Sequence, residues 1–463
     1  MTFSPALLPL FMVVPLCAAA VCVVFRGPLV SRTLLIGVPA ATAAGGAYLI
    51  AVHRTTPYLA HAVGGFDRTV AISLVSDMAS AVMLTVTGIA LTVSAVHLVF
   101  TGEDRLHFVP SLVLMASAGV AGAFLTADLF NLFVWIEVML LPSYALIAVT
   151  GVWSRLQAGR TFLLVNVLTS TLLLMGVGLV YGVTGTVNLA ALGGAAARDA
   201  RTAFAVSLML LALCVKAAVV PVHGWLRRTY PTASAGVMSV FAAIHTKVAL
   251  YAVYRVYAVT FDGEHAAWMP LLGVAVVATV LVGSFATFGE RRMRTALSWQ
   301  MVSGVGHILI GPLVLTAAAL GAGLFYLAHH VFTMGALILV SGAIEQTYGT
   351  GRFDRLSGLM RREPWAAAVM ALGIASLIGL PPLSGLWGKV ALVTAVAHGA
   401  GAWEWVLFAA IALSAVVTLM AMQRLWSQVM WGPPMEKYRP DDAHTGGGGL
   451  VDLPDDLRIP RRL

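Results

Sequence analysis

Four ionisable side chains lie where a chain tolerates charge least. Glu137, Lys216, Lys247 and Lys389 each fall inside a long apolar run. At the centre of a membrane helix each charge costs roughly 2.5–3.5 kcal/mol, so four left alone would cost on the order of 10 kcal/mol. They must be paired, hydrated or shifted in proton affinity. Desolvation drives a lysine towards its neutral form, and a nearby carboxylate draws it back to the charged form. A lysine whose carboxylate partner moves can therefore take up or release a proton. The plainer reading is a static Glu137–Lys216 salt bridge that only orients helices. Three central lysines, two of them beside helix-breaking prolines, favour proton movement. Asp77, Asp128 and Arg255 lie nearer the ends of apolar runs.

Histidine titrates near neutrality and suits a proton relay. His329 and His330 sit mid-run between the lysines of the two halves and are the expected relay pair. His223, His245 and His307 are read as packing residues as readily as relays, and His97 and His107 are set aside. No carboxylate or cysteine stands at ligand spacing near His329 and His330, so no metal is expected there. Cys17, Cys22 and Cys214 all lie in apolar runs and read as reduced packing residues. There is no phosphate-binding glycine loop, no iron–sulfur cysteine cluster and no nucleophile triad. The expected activity is ion transport without covalent chemistry, cofactor or enzyme turnover.

The elements that must hold these groups are membrane helices. Hydrophobic residues fill 59% of 463 positions and charged residues only 10%, against about 25% charged in soluble domains. The predicted fold is an all-α polytopic membrane protein with thirteen spans: Leu7–Phe25, Leu34–Val52, Ile72–Val99, Phe108–Leu125, Leu129–Val149, Phe162–Val180, Ala203–Val220, Ala235–Val259, Leu271–Phe288, Ala296–Val314, Leu320–Val340, Trp365–Leu380 continuing to Val396, and Trp405–Met420. The first run has no basic residue before it and reads as a permanent span rather than a cleaved signal.

Loop charge supports the count. Odd-numbered loops carry fourteen arginines: Arg26, Arg32, Arg105, Arg155, Arg160, Arg227, Arg228, Arg291, Arg292, Arg294, Arg352, Arg355, Arg361 and Arg362. Even loops carry four: Arg54, Arg68, Arg198 and Arg201. The positive-inside rule then places odd loops in the cytoplasm and the N-terminus outside. The net charge of +8 is thereby topology information rather than a nucleic-acid footprint. After Met420 the chain turns polar, with Asp442, Gly446–Gly449 and Asp455, and reads as a flexible cytoplasmic tail.

Two spans carry breaks. Pro221 follows Lys216 in the seventh, and Pro381 and Pro382 precede Lys389 in the twelfth. A proline inside a helix strips a hydrogen bond from the carbonyl four residues earlier. The freed carbonyls are those of Ala217, Leu377 and Ile378. In a bilayer such groups persist where they line a protein-enclosed, hydrated cavity. Breaks five spans apart predict two inverted five-helix repeats. The expected division is 1–100 for three N-terminal spans, 101–260 and 261–430 for the repeats, and 431–463 for the tail.

At these residues the chain resembles the antiporter-like subunits shared by respiratory complex I and the Mrp cation/proton antiporters. Leu125–Glu137, reading LTADLFNLFVWIE, resembles the family's fifth-helix signature. Lys216 with Pro221–Leu226 resembles its broken seventh helix, Tyr230–Ala233 leading to His245–Val248 its eighth, and Gly379–Gly385 with Lys389 its broken twelfth. The likeness covers roughly residues 70–430. Within the family, the fifth- and eighth-helix wording and lysine at 389 are most similar to D-type subunits of Mrp complexes. The resemblance implies a hetero-oligomeric cell-membrane antiporter exchanging Na+ for H+, with other Mrp-type subunits and membrane lipid as partners. It also implies Glu137 and Lys216 as the charge pair, Lys247 as the relay to the centre and Lys389 as the terminal proton site. Two departures stand out: Met334 occupies a position where the family usually carries lysine, and the family's fourteenth helix would follow Leu463. A proton-pumping subunit of a complex I-like or hydrogenase oxidoreductase, and a non-conducting scaffold, are the competing readings.

Overall fold

A computed structural model describes residues 3–25, 27–66, 71–399, 401–441, 451–454 and 456–460. Arg26, Arg68, Asp442, Gly446–Gly449, Asp455 and Leu463 lie outside these. Among the described residues ten helices are long and apolar enough to cross a membrane. Val109–Leu125 is shorter at 17 residues. The two remaining spans are each split, as Ala200–Lys216 with Gly224–Thr229 and as Pro364–Ile378 with Ser384–Gly399. Every predicted span therefore has its helix, and the architecture is all-α with the seventh and twelfth spans broken. Four spans lie between the two breaks, so the two broken helices run in opposite directions.

Boundaries shift for local reasons. The third span begins at Met78 rather than Ile72, because Ser73–Asp77 form strand β2, antiparallel to β1 at Tyr58–Ala62. Asp77 and Ser80 then cap each other's backbone N–H in a reciprocal box. The sixth and eleventh spans, Trp153–Thr184 and Ala317–Tyr348, each run 32 residues. At about 1.5 Å per residue they outreach a hydrocarbon core of about 30 Å. Their extra turns carry polar residues such as Arg155 and Glu345, where hydropathy no longer reports helix.

Loops of like parity bond to one another. On the even side Ala127 N–H donates to Ser73 at 2.9 Å, Leu189 N–H to Ala127 at 2.8 Å and Gly194 N–H to Val259 at 2.9 Å. On the odd side Arg32 pairs with Asp104 at 2.6 Å, Arg227 with Glu290 at 3.0 Å and Arg294 with Glu345 at 2.6 Å. The alternation expected from arginine counts is thus built into the packing. The tail read as flexible is bonded along its described part. Asp441 pairs with Arg292 at 2.9 Å and Arg355 at 2.5 Å, β3 (Lys437–Tyr438) pairs with β4 (Val451–Asp452), and Ile459 N–H donates to Glu363 at 3.0 Å.

The eighth span, Ala235–Phe261, is buried along its whole apolar stretch, and the tenth, Met293–Val314, nearly so. They are the most buried of the ten long apolar helices among the described residues. Close approach between spans depends on small residues, as is usual where lipid supplies no hydrophobic drive between helices. A Cβ on Gly306 would lie 2.6 Å from the Val280 side chain, and one on Gly122 would lie 2.1 Å from the Trp135 ring.

Candidate functional site

Glu137 lies mid-way along the fifth span (Leu129–Ala148), half buried. Lys216, 5% exposed, ends the first half of the seventh. They do not touch directly. Ser170, from the sixth span, stands between: Lys216 Nζ donates to Ser170 Oγ at 2.9 Å, and Ser170 Oγ donates in a short bond to Glu137 Oε1. Glu137 and Lys216, the charge pair implied by the resemblance, are linked through Ser170 in a three-membered chain. One hydroxyl serves both neighbours because it accepts with its lone pairs and donates with its single hydrogen.

Beside Lys216 a cavity of about 10 Å³, lined by Asn166, Trp225 and His245 among others, is close to the smallest space that holds a water. His245 is bonded at both ring nitrogens, Nε2 to Ser143 Oγ at 2.7 Å and Nδ1 to Tyr230 OH at 3.1 Å. The Ser143 hydroxyl donates to Met139 O at 2.7 Å. That places the ring hydrogen on Nε2 and leaves Nδ1 to accept from Tyr230.

The break in the seventh span is finished by other residues. Trp225 Nε1–H donates to Val215 O at 3.0 Å, and Val220 N–H donates to Thr279 Oγ1 of the ninth span at 3.0 Å. Ala218 takes φ +66, a left-handed conformation that costs an alanine roughly 1–2 kcal/mol. The Val220–Pro221 and Pro381–Pro382 peptides are cis.

Lys389, 9% exposed, behaves differently. Its Nζ donates to Ile378 O at 2.6 Å and Leu377 O at 3.3 Å. These are the two carbonyls that Pro382 and Pro381 strip of helix partners. Gly379 closes the first half-helix at φ +96, a region that only glycine enters freely. Gly385 lets the second half cross it: a Cβ there would lie 1.7 Å from Ser376 O. His329 faces the same break, with Nδ1 2.9 Å from Ser384 Oγ and 3.2 Å from Thr333 Oγ1. Its Nε2 is buried without a hydrogen-bond partner.

Lys247 is wholly buried on the eighth span, its Nζ 3.1 Å from Thr246 Oγ1. His330 Nε2 lies 3.4 Å from Gln300 O, and its Nδ1 is buried and unpartnered. Tyr326 gathers the second-half histidines, with His307 stacked at 5.0 Å, His329 edge-on at 5.3 Å and His330 at 6.4 Å. Met334 is fully buried.

The structure thus brings Glu137 and Lys216 to one bonded cluster and His329 and Lys389 to the two sides of the twelfth-span break. Lys247 and His330 lie between, and no direct hydrogen bond among the described residues joins them to either end. Asp77, Asp128 and Arg255 are structural. Asp77 pairs with Arg255 at 2.5 Å, and Asp128 accepts Asn131 N–H at 2.7 Å to cap the fifth span. Ser170, Ser143 and Ser376 are missed from sequence, and Tyr230 and Ser384 appear there only inside motifs, without a role of their own. A hydroxyl in an apolar run gives little signal, because most simply bond the carbonyl four residues back, as Thr169 does to Val165. Among the described residues no three His, Cys, Asp or Glu side chains converge to hold a metal.

Comparison with known proteins agrees with the fold. A family model described as NADH:quinone oxidoreductase/Mrp antiporter, TM, matches residues 126–418. The chain is 32% identical over 394 residues to the D subunit of the Na(+)/H(+) antiporter of Bacillus subtilis, covering 84% of this chain and 79% of that one. It superposes on a chain of the solved Mrp complex from Dietzia sp. DQ12-45-1b with a TM-score of 0.91 and 41% identity, covering 97% and 85%. A chain of respiratory complex I from Thermus thermophilus shares the fold, with a TM-score of 0.80 and 21% identity over 96% and 91%. The spans, the two breaks and these matches together show that the chain belongs to the NADH:quinone oxidoreductase/Mrp antiporter family of membrane proteins.

Proposed function

We propose that the chain is the proton-translocating component of a hetero-oligomeric Na+/H+ antiporter of Mrp type, working in the cell membrane. The observation that carries this is the Lys216–Ser170–Glu137 chain set beside a broken helix and a water-sized cavity. A lysine held to a carboxylate through one rotatable hydroxyl changes proton affinity when that hydroxyl turns away, because a buried ammonium that loses a hydrogen-bond acceptor is less favoured over the neutral amine. Proton movement then runs from Glu137 and Lys216 past His245 to Lys247, through His330 and His329, to Lys389. Water fills the gaps that direct hydrogen bonds leave. The naming of the Bacillus relative as part of an antiporter, and the Dietzia complex, support Na+ as the exchanged cation and sister subunits as partners. The odd loops face the cytoplasm in this reading, with the N-terminus outside.

The competing reading, a pump component of a complex I-like oxidoreductase, draws on the Thermus likeness, which is one of fold. The test uses inverted vesicles from cells co-expressing the whole complex. Na+-dependent proton movement is expected, and is lost with Glu137→Gln or Lys389→Ala. Intact exchange in both variants, with the complex assembled, would overturn the assignment.

A further inference from the structure

On the face where the odd loops meet there is a cavity of about 260 Å³, and no residue of either broken span lines it. Its polar lining comes from several spans: His97 and Glu103 at the end of the third, Arg155 of the sixth, Ser234 before the eighth, Arg294 of the tenth and Glu345 of the eleventh. Ser234 donates to Glu103 at 2.5 Å, and Arg294 pairs with Glu345 at 2.6 Å. Two arginines offset the two carboxylates, so a metal cation gains little here. A proton needs only carboxyl, imidazole, hydroxyl and water, all of which this lining can present.

Polar groups continue inward from the cavity. Ser94 and Ser239, both buried, share a bond of 2.8 Å. Ser341, one turn inward of Glu345, is 1% exposed and its hydroxyl has no partner. The eighth and eleventh spans pack closely and run antiparallel. A Cβ on Gly342 would meet Ala235, and one on Gly335 would lie 3.7 Å from Ser239 Oγ. Continuing that register brings His330 level with Lys247. From Glu345 to His330, and from Ser234 to Lys247, the climb is about 20 Å at 1.5 Å per residue. Glu345, Ser341, Met334 and His330 follow at helical spacing along one stripe of the eleventh span. Met334, fully buried, is the apolar member.

We propose that this cavity is the mouth through which protons reach the central Lys247 and His330, with Met334 as the dry constriction between them. This rests on the relay reading given above. It adds a route to the middle of the relay that passes through neither broken helix.

The test uses vesicles of the co-expressed complex in which Cys17, Cys22 and Cys214 are replaced by alanine. A small, charged, membrane-impermeant thiol reagent is added on the odd-loop side. Ser341→Cys is expected to react and Met334→Cys to stay inert. Modification at 341 should slow proton exchange, and Glu103→Gln should slow it by roughly tenfold, a modest loss for a proton-carrying group. An inert Ser341→Cys, or one that reacts without slowing exchange, overturns the mouth. If Glu137→Gln still abolishes exchange in that case, the relay reading stands without it. If 341 reacts and slows exchange while Glu137→Gln is silent, access through the cavity holds and the relay from Glu137 falls.

Discussion

The two broken helices use one device for two kinds of chemistry. Each sets a buried lysine near a proline break. In the seventh span the lysine turns away from the break, towards Ser170 and Glu137, while Trp225 and Thr279 satisfy the exposed backbone. In the twelfth the lysine turns into the break and itself caps Leu377 and Ile378. One ammonium is linked to a full negative charge through a hydroxyl that can swing. The other leans on two carbonyl dipoles that belong to its own helix. Losing the proton at 216 alters an electrostatic contact and leaves the break capped. Losing it at 389 leaves two N–H donors for the two carbonyls but removes the charge that strengthens both bonds, so charge and backbone geometry are coupled there. A lysine's partner, more than its depth, sets what its titration does to the protein.

Several experiments can break or sharpen that contrast. The largest effect is expected from Glu137→Gln. It leaves Lys216 without its carboxylate, and exchange in vesicles should fall by a factor of about a hundred or more, as for loss of a positioned proton-transfer group. Equal exchange in variant and parent would show that the carboxylate is not coupled to Lys216.

Lys389→Ala comes next and should differ in kind. It should stop exchange and also lower the thermal stability of the purified complex, since each stranded carbonyl costs about 1–3 kcal/mol. Lys216→Ala should stop exchange with a smaller loss of stability, because the seventh-span break keeps its own caps. The contrast collapses if both melt alike in a fluorescence-detected unfolding scan.

Ser170→Ala removes the hydroxyl between Glu137 and Lys216. A loss of roughly tenfold in exchange is expected, with assembly unchanged, on the scale of about 1–1.5 kcal/mol for one hydrogen bond. Ser170→Thr, which keeps the hydroxyl, should recover most of it. Failure of threonine to rescue would point to packing rather than the bridge.

Trp225→Phe should have the smallest effect. It strips the cap from Val215 O and should cost about 1 kcal/mol of stability, with exchange nearly unchanged. A large transport defect there would mean that the seventh-span break moves during turnover.

Much of the architecture is legible in the sequence. Apolar runs placed every span, arginine counts separated the two sets of loops, and prolines 221, 381 and 382 marked both breaks. The freed carbonyls of Leu377 and Ile378 were named from proline geometry alone, and they are the groups that Lys389 meets. The ends of helices were less legible. Hydropathy stopped at Val180 and Val340, yet the sixth and eleventh helices run on to Thr184 and Tyr348, because hydrogen bonding continues past the lipid boundary. His97, set aside on sequence, lines the odd-side cavity, because a helix-end histidine gains its surroundings from four other spans.

Membrane topology and the identity of the costly charges follow from local composition, since each span must satisfy its own backbone and each buried charge is visible wherever it falls. Which partner each charge takes is a matter of how helices rotate and slide against one another. Glu137 and Ser170 are 33 residues apart, and Ser170 and Lys216 are 46 apart. Nothing in the spacing of those residues along the chain brings them together. Only the packing of the fifth, sixth and seventh spans, which fixes a helix's rotation to within a side chain's width, turns a serine in a greasy run into the link between a lysine and a glutamate.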